Sequence, residues 1–233
     1  MGAVTARETP SAIRVLIADD ETMIRAGVRA ILSADPGIDV VAEAADGHEA
    51  VEAARAHRPD VALLDIRMPR MDGLAACEEI GRSVPGTAVA ILTTFSEDAY
   101  ISRALGGGAT GFLLKSGDPY ELMTGVRAVA DGGAYLSPKV ARHVIAELGG
   151  ERLTRGAAAR ARIAGLTSRE REVLALLAEG LSNAGIGRRL HLVEGTVKGY
   201  VSAVLDRLEV GNRVQAAIVA YEAGLTTGSS LNE

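Results

Sequence analysis

The sequence predicts a doubly wound α/β domain with a five-stranded parallel sheet, followed by a small all-α domain, and three observations carry that prediction. Val61-Ala62-Leu63-Leu64 is an unbroken apolar run ending in a carboxylate, Asp65. Such a run reads as a strand buried on both faces, as in a parallel sheet. Residues 13–133 alternate short apolar runs with amphipathic segments, the order of a β/α sheet. From Leu166 onward apolar residues recur only at helical spacing.

Taken in order, the strands are expected at 13–18, 38–42, 61–64, 88–92 and 111–114, each followed by a helix-like segment. After the first strand, Ile24, Val28, Ile31 and Leu32 stand at i, i+4, i+7 and i+8, one helical face. The last helix of the sheet domain begins Asp118-Pro119-Tyr120-Glu121, a capping signal with proline at the first helical position. Ser137-Pro138 starts a short helix to about Leu148. Residues 149–165 mix glycine, alanine and arginine without a sustained apolar face and read as a solvated tether.

Thr167-Ser168-Arg169-Glu170 is a capping box ahead of Val173, Leu174, Leu176 and Leu177, and Gly180 ends that helix. A second helix runs from Ser182 to Leu190. After a turn at His191-Leu192, a third spans 194–208 with Val197, Val201, Val204, Leu205 and Leu208 inward. A fourth covers 213–222. Two short helices joined by a tight turn, the second carrying Thr196 and Lys198 outward, read as a helix-turn-helix. The expected divisions are a disordered 1–12, the sheet domain 13–133, helix and linker 134–165, the helical domain 166–225 and a disordered tail 226–233.

At 233 residues and 48% hydrophobic composition the chain has material for two buried cores. No apolar run approaches the ~20 residues that cross a bilayer, and residues 1–12 lack a signal-peptide core, so a cytoplasmic protein without membrane contact is expected. A single cysteine, Cys77, excludes an internal disulfide, and the four histidines show no metal-ligand spacing. The net charge of −5 is uneven: residues 1–140 hold 13 Lys+Arg against 20 Asp+Glu, and 141–233 hold 12 against 10. A polyanionic partner therefore belongs to the second part.

The strand ends carry the chemistry. Asp19 and Asp20 follow the first strand, Asp65 the third, Thr93 and Thr94 the fourth, and Lys115 the fifth. In a parallel sheet these meet at one edge. Three carboxylates form an oxygen cage for a hard divalent cation such as Mg2+, and a hydroxyl and an ammonium suit the remaining oxygens of a phosphoryl group. The set describes an aspartate that becomes phosphorylated. A nucleotide or flavin site is disfavoured because Asp19-Asp20-Glu21 would repel phosphate. A phosphatase using an aspartyl-phosphate would need an acid two residues past Asp65, where Arg67 stands, so no enzymatic activity is expected.

Asp19-Asp20, LLDIRMPRMDG at 63–73, LTTF at 92–95 and GFLLK at 111–115 resemble the receiver domain of two-component response regulators, a flavodoxin-like fold. The resemblance implies that Asp65 is the phosphoacceptor and that Asp19, Asp20, Asp65 and the carbonyl of Arg67 hold Mg2+. It likewise implies that Thr93 and Lys115 contact the phosphoryl group, that Phe112 is a switch aromatic that rotates inward, and that a sensor histidine kinase is the donor. Ser116 after Lys115 departs from the usual residue there.

Residues 166–225 resemble a LuxR-type DNA-binding domain, which makes the whole chain similar to NarL/FixJ-type regulators. The resemblance places Thr196, Lys198, Gly199 and Ser202 against double-stranded DNA. Lys198 stands out because the chain has only three lysines. The function implied is a phosphorylation-controlled transcriptional regulator. With seven basic and seven acidic residues, 166–225 has weak electrostatics for a monomer on DNA, so a homodimer formed on phosphorylation is expected; Val214, Ala217, Ile218 and Tyr221 read equally as its contact face or as core. The alternative is a receiver-gated module controlled by ligand or protein binding, whose second domain binds protein instead of DNA. Gly185, Gly187, Gly199 and the uncapped Val193 predict a soft reading unit, and Gly187→Ala is expected to stiffen it if the methyl fits.

Overall fold

The computed structural model describes residues 12–94, 103–104, 106–137, 140–141 and 152–225. The N-terminal domain is a parallel sheet of β1 (Ile13–Ala18), β2 (Ile38–Ala44), β3 (Val61–Asp65), β4 (Ala88–Thr93), β5 (Gly111–Leu114) and β6 (Tyr135–Leu136), in the order β2-β1-β3-β4-β5-β6. Its described helices are α1 (Thr22–Ser33), α2 (Gly47–His57), α3 (Gly73–Ser83) and α4 (Pro119–Ala130).

The sheet has one strand more than the sequence pattern predicts. Gly132, at φ +69°, turns the chain after α4, and Gly133 N–H closes the turn on the Ala128 carbonyl. Tyr135 and Phe112-paired Leu136 then lie parallel to β5. Two residues are too few for any alternation to be read. The helix expected from Ser137-Pro138 falls outside the described residues except at 137, 140 and 141, as do the two tails except residue 12.

Every residue of β3 is buried, as a central strand of a doubly covered sheet requires. Alternate side chains go to opposite faces. Leu16, Leu64, Ile91 and Phe112 pack with Ala50, Leu74 and Ile80 of α2 and α3. Ile17, Leu63, Leu92 and Leu113 pack with Val28, Leu32 and Val126 of α1 and α4. Each of these leucines, fully withdrawn from water, contributes roughly 1.5–3 kcal/mol. The sheet's carboxyl edge is thereby a rigid platform. The Cys77 thiol lies in the first core, 3.4 Å from the Gly107 carbonyl, and burial pushes it up to about 12.

The C-terminal domain comprises α5 (Arg152–Ala164), α6 (Ser168–Ala178), α7 (Asn183–Leu190), α8 (Glu194–Arg207) and α9 (Arg213–Glu222). The stretch read as a tether is largely helix α5: Ala159 and Ile163 are buried in the same core as Leu166, Val173, Leu174 and Val204. Among the residues of α5 whose burial is described, Ala159 and Ile163 are its apolar anchors, one turn apart and hard to pick out among arginines and alanines. The capping box at the start of α6 is reciprocal, with Thr167 Oγ1 accepting from Glu170 N–H and the Glu170 carboxylate accepting from Thr167 N–H. Helix α9 divides its faces between the domains. Ala216, Val219 and Ala220 complete the helical core, whereas Val214 is buried in the sheet-domain cluster that holds Phe112, and Ile218 packs against it.

Candidate phosphoacceptor and cation site

The strand ends meet as the parallel order requires. Asp19 is fully buried just past β1; its N–H reaches the Ala44 carbonyl at 3.1 Å, and its Oδ1 accepts from Glu21 N–H at 2.9 Å. Arg25 of α1 donates to the Asp19 carbonyl at 2.6 Å and to Glu43 at 3.0 Å, fixing the loop that also carries Asp20. Asp65 closes β3 and is 7% exposed. Thr93 closes β4, and its carbonyl accepts from Lys115 N–H at 2.8 Å.

Lys115 reaches back over the edge. Its Nζ lies 2.8 Å from Asp19 Oδ2 and 3.1 Å from Asp65 Oδ2, with the side chain 5% exposed. Glu21, which follows Asp19 and Asp20 in the chain, stands 3.8 Å from the same nitrogen, an approach that sequence reasoning did not foresee. Burial raises the Asp65 carboxyl above the usual carboxylate range, although the hydrogen bond and charge of Lys115 oppose this. Burial also works against the charge on Lys115, but its bonds to Asp19 and Asp65 hold it above an ordinary lysine.

One oxygen each from Asp19, Asp20 and Asp65 lies within 4.8 Å of the others. Around a Mg2+ with oxygens at about 2.1 Å, neighbouring ligands lie about 3 Å apart and opposite ones about 4 Å. The three carboxylates therefore fit such an ion with a small closure, Asp20 being the exposed member that can move.

The loop after β3 shows why the motif behind Asp65 takes the form it does. Gly73 N–H donates to the Ile66 carbonyl at 2.9 Å, and a Cβ at Gly73 would collide with the Asp65 carbonyl. Only glycine permits that approach. Asp72 caps α3 by accepting from Ala75 N–H at 2.7 Å. Arg67 is exposed on this loop. Phe112 is fully buried and already directed inward.

Residues 15–127 match the model of the response regulator receiver domain, and 164–220 that of bacterial regulatory proteins of the luxR family. Transcriptional regulatory protein DegU of Brevibacillus brevis is 37% identical over 224 residues, covering 91% of this chain and 94% of that protein. The chain belongs to the response regulators. Transcriptional regulatory protein LiaR of Bacillus subtilis is 38% identical to this regulator, covering 90% of the chain and 97% of that protein. Among solved structures, response regulator ChrA of a heme-sensing two-component system shares 34% identity at a TM-score of 0.52, over 92% of this chain and 99% of that one. The regulator thus joins a receiver domain to a LuxR-type DNA-binding domain.

In that second domain Thr196, Lys198, Gly199 and Ser202 all lie on the exposed face of α8, opposite buried Val197 and Val204. Val193 precedes α8 without a side-chain cap and is 74% exposed. Ser182 caps α7 by accepting from Gly185 N–H at 3.2 Å. Lys198 pairs with Glu194 at 3.0 Å and faces a cleft of about 670 Å³ between the domains, lined from the receiver side by Glu78, Gly81 and Gly107 and from the other by Val201 and Arg213. No helix among the described residues is long and apolar enough to cross a membrane.

Proposed function

We propose that Asp65 accepts a phosphoryl group from a sensor histidine kinase and that the modified regulator, a cytoplasmic protein, binds promoter DNA as a dimer. The observation that carries this reading is the buried ammonium of Lys115 set between Asp19 and Asp65, beside a third carboxylate. An Asp65 oxygen attacks phosphorus, the bond from phosphorus to the imidazole nitrogen of the donor breaks, and its electron pair leaves with the imidazole. Asp19, Asp20, Asp65 and the Arg67 carbonyl would hold Mg2+, which supplies charge neutralisation when bound. Lys115 neutralises a phosphoryl oxygen, and the Thr93 hydroxyl donates to another.

Thr196, Lys198, Gly199 and Ser202 supply the face of α8 that enters the major groove. Lys198 lines the inter-domain cleft, whereas Thr196, Gly199 and Ser202 are already open to solvent, so parting of the domains would free the Lys198 end of that face for duplex DNA. Intact-mass measurement after incubation with acetyl phosphate and Mg2+ tests the assignment. One phosphoryl adduct is expected on the wild-type chain and none on Asp65→Asn; an adduct persisting on the variant overturns it.

A further inference from the structure

Four non-glycine residues among those described have positive φ: Arg58, Arg70, His191 and Glu209. Arg58 and His191 are the C-terminal caps of α2 and α7, and Glu209 directly follows the cap of α8, where the left-handed conformation is an ordinary way to end a helix. Arg70 ends no helix. It sits at φ +63° in the loop between Asp65 and α3, a conformation that disfavours any side chain with a Cβ.

Its guanidinium explains the position. Arg70 pairs with Asp46 and, at 2.7 Å, with Glu49. Both acids are themselves fixed: Asp46 is 1% exposed and caps α2 through Glu49 N–H at 3.0 Å, and Glu49 accepts from Ala45 N–H at 2.9 Å. Beside them Gly47 N–H donates to the Met71 carbonyl at 3.1 Å, and a Cβ on Gly47 would come within 2.6 Å of that oxygen. The loop is therefore tied at one end by Gly73 to Ile66 and at the other by Arg70 and Met71 to α2. Arg67 lies between the ties.

We infer that Arg70 is a positioning residue for cation binding, clamping the β3–α3 loop onto the start of α2 so that the Arg67 carbonyl is held toward the carboxylates of Asp19, Asp20 and Asp65. The inference rests on the proposed reading of that site. It also makes a prediction of unusual sign. Removing a positive charge from the same domain edge should, by Coulomb's law alone, leave cation binding unchanged or tighter, whereas removing a support behind a ligand weakens it, typically 10- to 100-fold.

The test is calorimetric titration of the full-length chain with Mg2+, without phosphodonor, for wild type, Arg70→Gln, Arg70→Gly and Asp20→Asn, with melting in EDTA as a measure of folding. Arg70→Gln is expected to raise the Mg2+ Kd about 10-fold. Arg70→Gly relieves the backbone but loses the clamp, and should bind as weakly as Arg70→Gln. Phosphorylation by acetyl phosphate should need correspondingly more Mg2+ and reach the wild-type rate at saturation. Unchanged or tighter Mg2+ binding in Arg70→Gln overturns the inference, as does a lowered melting temperature with an unchanged Kd, which marks a purely structural contact. Asp20→Asn separates the two levels: if it too leaves Mg2+ binding unchanged, the site reading itself fails.

Discussion

Gly185, Gly187 and Gly199 of the reading unit are equivalent on propensity, yet alanine at Gly187 should act with the opposite sign to alanine at the other two. At Gly199 nothing lies within 4 Å of the added Cβ, and at Gly185 the nearest atom is Leu181 Cβ at 3.5 Å, ordinary contact. Gly199→Ala should therefore gain the helix-propensity difference, about 1 kcal/mol, or about 4–8 °C in the melting of so small a domain. At Gly187 the Cβ would meet the Leu192 carbonyl oxygen at 2.7 Å, well inside the 3.4 Å where ordinary contact begins. That carbonyl belongs to the turn between α7 and α8, and Leu192 N–H is bonded at 2.9 Å to the Gly187 carbonyl, so neither side can retreat cheaply. Overpacking costs about 1–3 kcal/mol, against which the propensity gain of about 1 is small. Gly187→Ala should thus lose up to about 2 kcal/mol, contrary to the stiffening that the sequence suggests. Scanning calorimetry of the full chain, with hydrogen exchange at α7 and α8 to assign the transition, measures both. A stabilised Gly187→Ala, or a destabilised Gly199→Ala, would refute the packing argument.

Two further outcomes follow from the receiver. Lys115→Met leaves two buried carboxylates without their cation and should lower the urea stability of the receiver by about 3 kcal/mol in EDTA, with part of the loss recovered on adding Mg2+; an unchanged midpoint would remove Lys115 from the charge balance of the site. The Arg127 guanidinium and the Gly37 N–H hold the Asp35 carboxyl below its ordinary 3.8. Because the folded value is the lower one, this contact stabilises fully above about pH 4 and the stabilisation fades as pH falls through the folded value. Asp35→Asn should flatten the acid limb of melting temperature against pH, and an unaltered limb would show the pair to be idle.

What the sequence made legible was local or periodic. The run into Asp65, the strand-end residues Asp19, Asp20, Thr93 and Lys115, and the box at Thr167 and Glu170 are signals within a few residues of themselves, and parallel pairing brings the strand ends together once each strand is found. The parts that stayed hidden depend on partners distant in the chain. Nothing in MPRMDG indicates that Arg70 takes a left-handed conformation to reach Asp46 and Glu49, and two residues of β6 are too few for a period.

Helix α9 is the instructive case. Its spacing of Val214, Ala217, Ile218 and Tyr221 marks one apolar face, but an amphipathic pattern cannot name what covers it. The structure places Val214 and Ile218 on the receiver cluster while Tyr221 remains 46% exposed. Surface buried against the receiver is not available to a second copy, so this docked arrangement and pairing through the same face of α9 exclude one another. The free energy of covering Val214 and Ile218 is available to only one of them at a time. Any dimer that uses this face must therefore first undo the packing of Val214 and Ile218 on the receiver.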